Sequence, residues 1–287
     1  MAKTTSADYE TYIATSARPT RVVGAGAAAV ASAYKIEVRF LGGLTTAQKN
    51  AFKAAADRWA SVIVGDLPSV RVDGEVIDDL LILAQGTAID GPRGILGQAG
   101  PTHIRPAKAG TSKFLPVKGI MSFDTADLKV MQKDGTLKDV ITHEMGHVIG
   151  VGTVWERKGL LKDAGKPTVR FVGKNARKEF GKLKKGKAAD VPVENTGGPG
   201  TADGHWRESV FRNELMSGFI AAPNNPLSRL TVASLQDLGY KVDLTKAEPY
   251  KLPDLLAVAA AGATTTHDAP HALPVIPMVV PDSGLID

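Results

Sequence analysis

Residues 136–150 read Thr-Leu-Lys-Asp-Val-Ile-Thr-His-Glu-Met-Gly-His-Val-Ile-Gly. Thr136 followed three positions later by Asp139 has capping-box form, so a helix from about Leu137 to Ile149 is expected. Gly150 is its natural stop, because glycine tolerates the left-handed conformation of a helix C-cap. His143 and His147 then lie one turn apart on one face. Both imidazoles can address a single ion about 2 Å from each ring nitrogen. Glu144 sits about 100° round the helix from His143. There it reaches a metal-activated water rather than the metal, as a general base should. Asp139, one turn before His143, either orients that ring or caps the helix.

A catalytic zinc needs a third protein ligand and one open position. The chain has no cysteine and six His, so thiolate ligands, disulfides and Cys nucleophiles are excluded. A third His three residues past the Gly150 turn would fall at position 153, which is Thr. Glu156 is right in kind but lies too close to the turn. The remaining His are 103, 205, 267 and 271. His205 is the best placed, since a glycine-rich loop able to fold back precedes it. The pair His267 and His271 mimics metal-ligand spacing, but Pro270 between them forbids a regular helix.

The surroundings are those of a globular chain. Its 287 residues are 43% hydrophobic and 23% charged, which argues against a mainly disordered protein. No apolar run is long enough to span a membrane. Lys and Arg exceed Asp and Glu by 35 to 30. Much of that excess crowds residues 174–187, which have few aromatics for base stacking, so nucleic acid is not an expected partner. The apolar run 22–33 after Arg18 and Arg21 resembles a weak secretory signal. Gly24-Ala-Gly26 within it mimics a dinucleotide fingerprint without the preceding strand that motif requires. Residues 1–34 therefore read as a loose tail or weak signal-like segment.

Residues 35–41 alternate as a half-buried strand. Thr45 or Thr46 caps a helix reaching Val64, with Phe52, Ala55, Ala56, Trp59, Val62 and Ile63 at helical spacing. Further strands are expected at 76–84, 94–99 and 118–123, the second at a sheet edge where Gln98 would bind extended substrate by strand addition. Helices are expected at about 174–183 and 228–238, and an irregular stretch at 192–204. The expected class is α+β, a mixed twisted sheet with a helix on one face. Residues 35–150 form an N-terminal catalytic lobe, 151–245 a smaller irregular C-terminal lobe and 246–287 a peripheral tail.

Three stretches resemble the leishmanolysin family of metzincin zinc peptidases: His143-Glu-Met-Gly-His-Val-Ile-Gly150 with Gly152 and Trp155, Gly204-His205-Trp206, and Asn213-Glu-Leu-Met216-Ser-Gly218 followed by Leu235 to Tyr240. The resemblance implies one catalytic Zn2+ held by His143, His147 and His205. It also implies Glu144 as base and Met216 as the Met-turn residue beneath the metal. The implied activity is hydrolysis of protein or peptide substrates, at an extracellular or cell-surface location. The alternative is a catalytically idle adhesion or binding module on the same fold, for which a base beside the ligands is not needed. Protozoan members are cysteine-rich and kept latent by a prodomain cysteine. This chain resembles shorter bacterial members, and latency must work otherwise.

Overall fold

In the computed structural model the described residues are 9–16, 33–92, 95–220, 222–254 and 272–286. The signal-like run as far as Ser32, the fingerprint mimic, and the His267 and His271 pair fall outside them.

The expected first strand forms as β2 (Lys35–Gly42), with Ile36, Val38 and Phe40 buried on one face. Ahead of it, β1 (Glu10–Thr15) pairs antiparallel to β2. Part of the expected loose tail is thus an edge strand, and its Tyr-Ile-Ala-Thr run has the β-favouring composition that explains why. Helix α1 (Thr46–Val62) starts at a capping box, in which the Gln48 amide donates to Thr45 Oγ1 and the Thr45 amide to Gln48 Oε1.

The strand expected over 76–84 is two strands. Val76 belongs to a hairpin of β3 (Val70–Val72) and β4 (Glu75–Ile77), and β5 (Leu80–Thr87) starts afresh. The break is at Asp78-Asp79, where the Asp79 carboxylate accepts the Lys35 and Leu67 amides instead of the chain continuing extended. Strands β6 (Gly97–Ile104) and β7 (Pro116–Asp124) pair antiparallel, followed by α2 (Thr125–Asp134) and α3 (Leu137–Ile149).

Past α3 the elements are short: β8 (Leu161–Lys162), β9 (Arg170–Phe171), α4 (Lys174–Leu183), β10 (Val191–Pro192), α5 (Glu208–Phe211) and α6 (Arg229–Leu238). Two short strands close the chain, β11 (Ala272–Leu273) and β12 (Met278–Val279).

The main sheet is mixed, in the order β1-β2-β5-β7-β6-β11, with β12 also on β6. Strands β2, β5 and β7 run parallel, as do β6, β11 and β12. This is α+β architecture. The free edge expected at 94–99 is not there, because Gln98 pairs with Leu273 and β12 covers residues 103 and 104. The tail supplies that cover, so its end belongs to the sheet.

One apolar core runs from Ala14 through Phe52, Trp59 and Met145 to Trp206, Met216 and Tyr240. It continues across position 150. Tyr240 stacks edge-on against Tyr34 and donates its hydroxyl to the Ile149 carbonyl, tying the segment after α6 to the end of α3. Among the described residues, no helix is long and apolar enough to cross a membrane.

Candidate metal centre

Helix α3 forms over the expected span but is not capped as expected. Thr136 is itself in the helical region and its side chain caps nothing. Asp139 neither caps the helix nor meets the His143 ring. Its carboxylate accepts the backbone and side-chain N–H groups of Asn225, anchoring the approach to α6. The other end behaves as expected, with Gly150 at φ +114° and its amide donating to the Gly146 and His147 carbonyls. The α3 face toward α1 is fixed by Trp59, whose indole N–H donates to the Thr142 carbonyl at 2.8 Å.

Two glycines allow close packing around this helix, one of them against the segment that brings the third histidine. Gly152, at φ +78°, lies so close to the segment before His205 that a Cβ would stand 2.0 Å from the Gly204 oxygen. Gly146 lies between the two helix histidines, and a Cβ there would meet Met216 Sδ at 2.8 Å and Trp59 at 2.9 Å. The Met216 side chain therefore packs directly against the backbone of the helix turn bearing His143 and His147.

The three rings converge. Nε2 of His143 and His205 are 3.0 Å apart, those of His147 and His143 3.0 Å, and those of His147 and His205 2.9 Å. All three residues are buried. Each ring turns its Nδ1 to a backbone carbonyl: His143 to Leu215 at 2.6 Å, His147 to Val151 at 2.9 Å and His205 to Thr201 at 2.9 Å. A carbonyl only accepts, so each Nδ1 carries the proton, and a ring in its neutral form then presents an Nε2 lone pair to the other two. Burial pushes the pKa of His147 down to about 4, which keeps it neutral. Three lone pairs at such separations repel one another unless a cation lies among them. The donor set fits a metal ion, since ring nitrogens about 2.0–2.1 Å from a common centre lie close to this far apart. Glu144 is buried beside His143, and burial raises its carboxyl to about 8.

A second carboxylate group, Asp66, Asp78 and Asp79, has its oxygens close together elsewhere. Its chemistry is structural: Asp78 pairs with Lys35 at 2.5 Å, and Asp79 holds two backbone amides.

Several residues that build the centre were not singled out from the sequence. A glycine inside a strongly apolar helix costs about 1 kcal/mol against alanine, so Gly146 carried a readable signal of close packing. Glu214 gave none. It is fully buried, and its carboxylate accepts the Met216 amide at 2.6 Å, the Ser228 amide at 3.2 Å and the Ser228 and Thr231 hydroxyls at 2.6 and 2.5 Å. Burial pushes its pKa up, and those four donors pull it down. Thr231 in turn accepts the indole N–H of Trp206, the residue after His205.

Three buried imidazoles that could hold a metal ion, with a buried carboxyl at the position after His143, are carried by a helix and by a loop that returns to it. The family model for leishmanolysin, peptidase M8, matches residues 111–254, half of the chain, and takes in all three histidines, Glu144 and Met216. The chain belongs to this metallopeptidase family. It is 31% identical over 146 residues to a leishmanolysin of Leishmania donovani, a match that covers 46% of this chain and 24% of the other. The chain thus spans about a quarter of the length of that curated relative.

Proposed function

We propose that the protein is a zinc-dependent endopeptidase that hydrolyses peptide bonds in protein or peptide substrates. The observation that carries this reading is the convergence of three buried Nε2 atoms from two distant segments, each ring held by a backbone carbonyl at Nδ1. His143, His147 and His205 would hold the ion, and no negative ligand among them would dilute its charge. When bound, zinc supplies a Lewis-acidic centre that activates water near neutral pH and polarises the scissile carbonyl.

Glu144 takes the proton from the attacking water and delivers it to the leaving amine. Burial already brings its pKa near neutrality, and a dication close by would favour its ionised, proton-accepting form. Met216 packs beneath the imidazoles as the Met-turn residue, and Gly150 turns the chain out of α3 toward the insertion that returns with His205. The lobes follow from this arrangement. Residues 35–150 carry the central strands of the sheet and the helix, and residues 151–245 carry the third histidine, in the manner of metzincins. Action outside the cell or at its surface rests on the family resemblance alone.

The test is metal analysis and cleavage of a quenched peptide, with Glu144→Ala beside the wild type. Zinc is expected to remain at one equivalent in the variant while turnover falls by about 10²–10⁴ or more. Undiminished cleavage by the variant removes Glu144 as the base. Full zinc and activity in His205→Ala removes the third ligand.

A further inference from the structure

Leu215 and Met216 share one peptide group that faces two ways. Its carbonyl oxygen accepts from His143 Nδ1 at 2.6 Å, and its N–H donates to Glu214 Oε2 at 2.6 Å. A trans peptide points its C=O and N–H in opposite directions within one rigid plane. Whatever fixes the N–H therefore aims the carbonyl. We infer that Glu214 is a positioning residue for His143, orienting and polarising the ring through the intervening 215–216 peptide.

The inference rests on the proposed metal role of His143. Metal-binding histidines commonly donate their second N–H to a carboxylate or a carbonyl, which sets the ring and raises its basicity. Here the two acceptors are in series, a carboxylate behind a carbonyl. Hydrogen bonds in a chain polarise one another, and the buried setting strengthens the effect. The distances agree with this. The bond from His143 is 2.6 Å, whereas His147 and His205, which bond to the Val151 and Thr201 carbonyls, stand at 2.9 Å. Glu214 is also well fixed for the task. Its other oxygen, Oε1, receives the Ser228 amide and the Ser228 and Thr231 hydroxyls. The far side of the turn is pinned separately, where the Met216 carbonyl accepts the Trp206 amide at 2.9 Å.

Glu214→Gln tests the relay. Three donors meet Oε1 and one meets Oε2, so the amide oxygen of Gln takes the crowded side. Its NH2 group then faces the Met216 N–H, donor against donor, and the 215–216 peptide must rotate away from His143. Zinc affinity, measured by competition with a chromogenic chelator, is expected to weaken by about 10- to 100-fold. Ser228→Ala is the control. It removes one hydroxyl from Oε1, leaves the Met216 bond in place, and should change zinc affinity by no more than about twofold. Equal weakening in both variants would mean that the network only holds the fold, and the inference fails.

Should Glu214→Gln not fold, 15N-histidine NMR of the zinc-loaded wild type decides. The Nδ1 proton of His143 is expected furthest downfield of the three ligand rings, and a position level with the other two overturns the relay. A wild type that binds no zinc at these histidines refutes the proposed function itself. A wild type that binds zinc as tightly as Glu214→Gln refutes only the relay.

Discussion

Gly146 sets two local rules against each other. Helix propensity favours alanine there by about 1 kcal/mol. Packing opposes it, because the new methyl would press on Met216 Sδ and the Trp59 ring, both fully buried. Overpacking a tight core costs about 1–3 kcal/mol, so packing wins. Gly146→Ala is expected to lower unfolding free energy by about 1–2 kcal/mol in urea titrations, and a more stable variant would show that Met216 does not pack under the helix. The same contact explains why the glycine of the His-Glu-Met-Gly-His run is legible in sequence as an oddity without revealing its partner. Its partner lies 70 residues further on, and only the fold says which residue that is.

Gly152 belongs to the turn that brings the insertion back. A side chain there is strained by φ +78° and blocked by the Gly204 oxygen. The His143 and His147 pair on α3 would be left intact. Gly152→Ala is therefore expected to push the segment bearing His205 away, weakening zinc by about tenfold or more as one ligand is lost or displaced. Competition with a chelator measures this, and unchanged affinity would show that the close approach of the two glycines does not position the third ligand.

Elements whose signals are local are readable: β2 from its alternation, α1 from its cap and apolar spacing, α3 from its glycine stop. Elements defined by distant partners are not. Helix α2 is mostly polar and offers little apolar spacing to read, although Asp124 accepts the Ala126 and Asp127 amides at its start and Gly135 ends it in the left-handed conformation. The role of Asp139 depends on Asn225, and the cover on β6 depends on residues 272–279. Two of the three converging histidines are legible because their spacing on one helix encodes them. The third is favoured by the glycine-rich loop before it and implied by the resemblance, since the intervening segment has no periodicity to read.

In the metal-free protein His147 lowers stability as pH falls, whereas the raised carboxyls of Glu144, Asp79 and Glu208 act in the opposite direction. The pKa of His147 is held at about 4 in the fold against about 6.5 when unfolded, so between those values the unfolded chain binds the extra proton. The contribution of His147 to the stability of chelator-treated protein should thus be full above about pH 6.5 and be lost as pH drops toward 4, by roughly 3 kcal/mol. His147→Gln should flatten that slope in urea titrations at pH 4.5 and 7, and an unchanged slope would place the acid sensitivity elsewhere. The whole account depends on imidazoles from α3 and from beyond the long insertion gripping one ion. Anomalous diffraction at the zinc edge, from crystals grown with saturating zinc, addresses that directly. A single strong peak about 2.0–2.1 Å from Nε2 of His143, His147 and His205 is the predicted result. A peak that leaves out residue 205, or none at the three nitrogens, would contradict it.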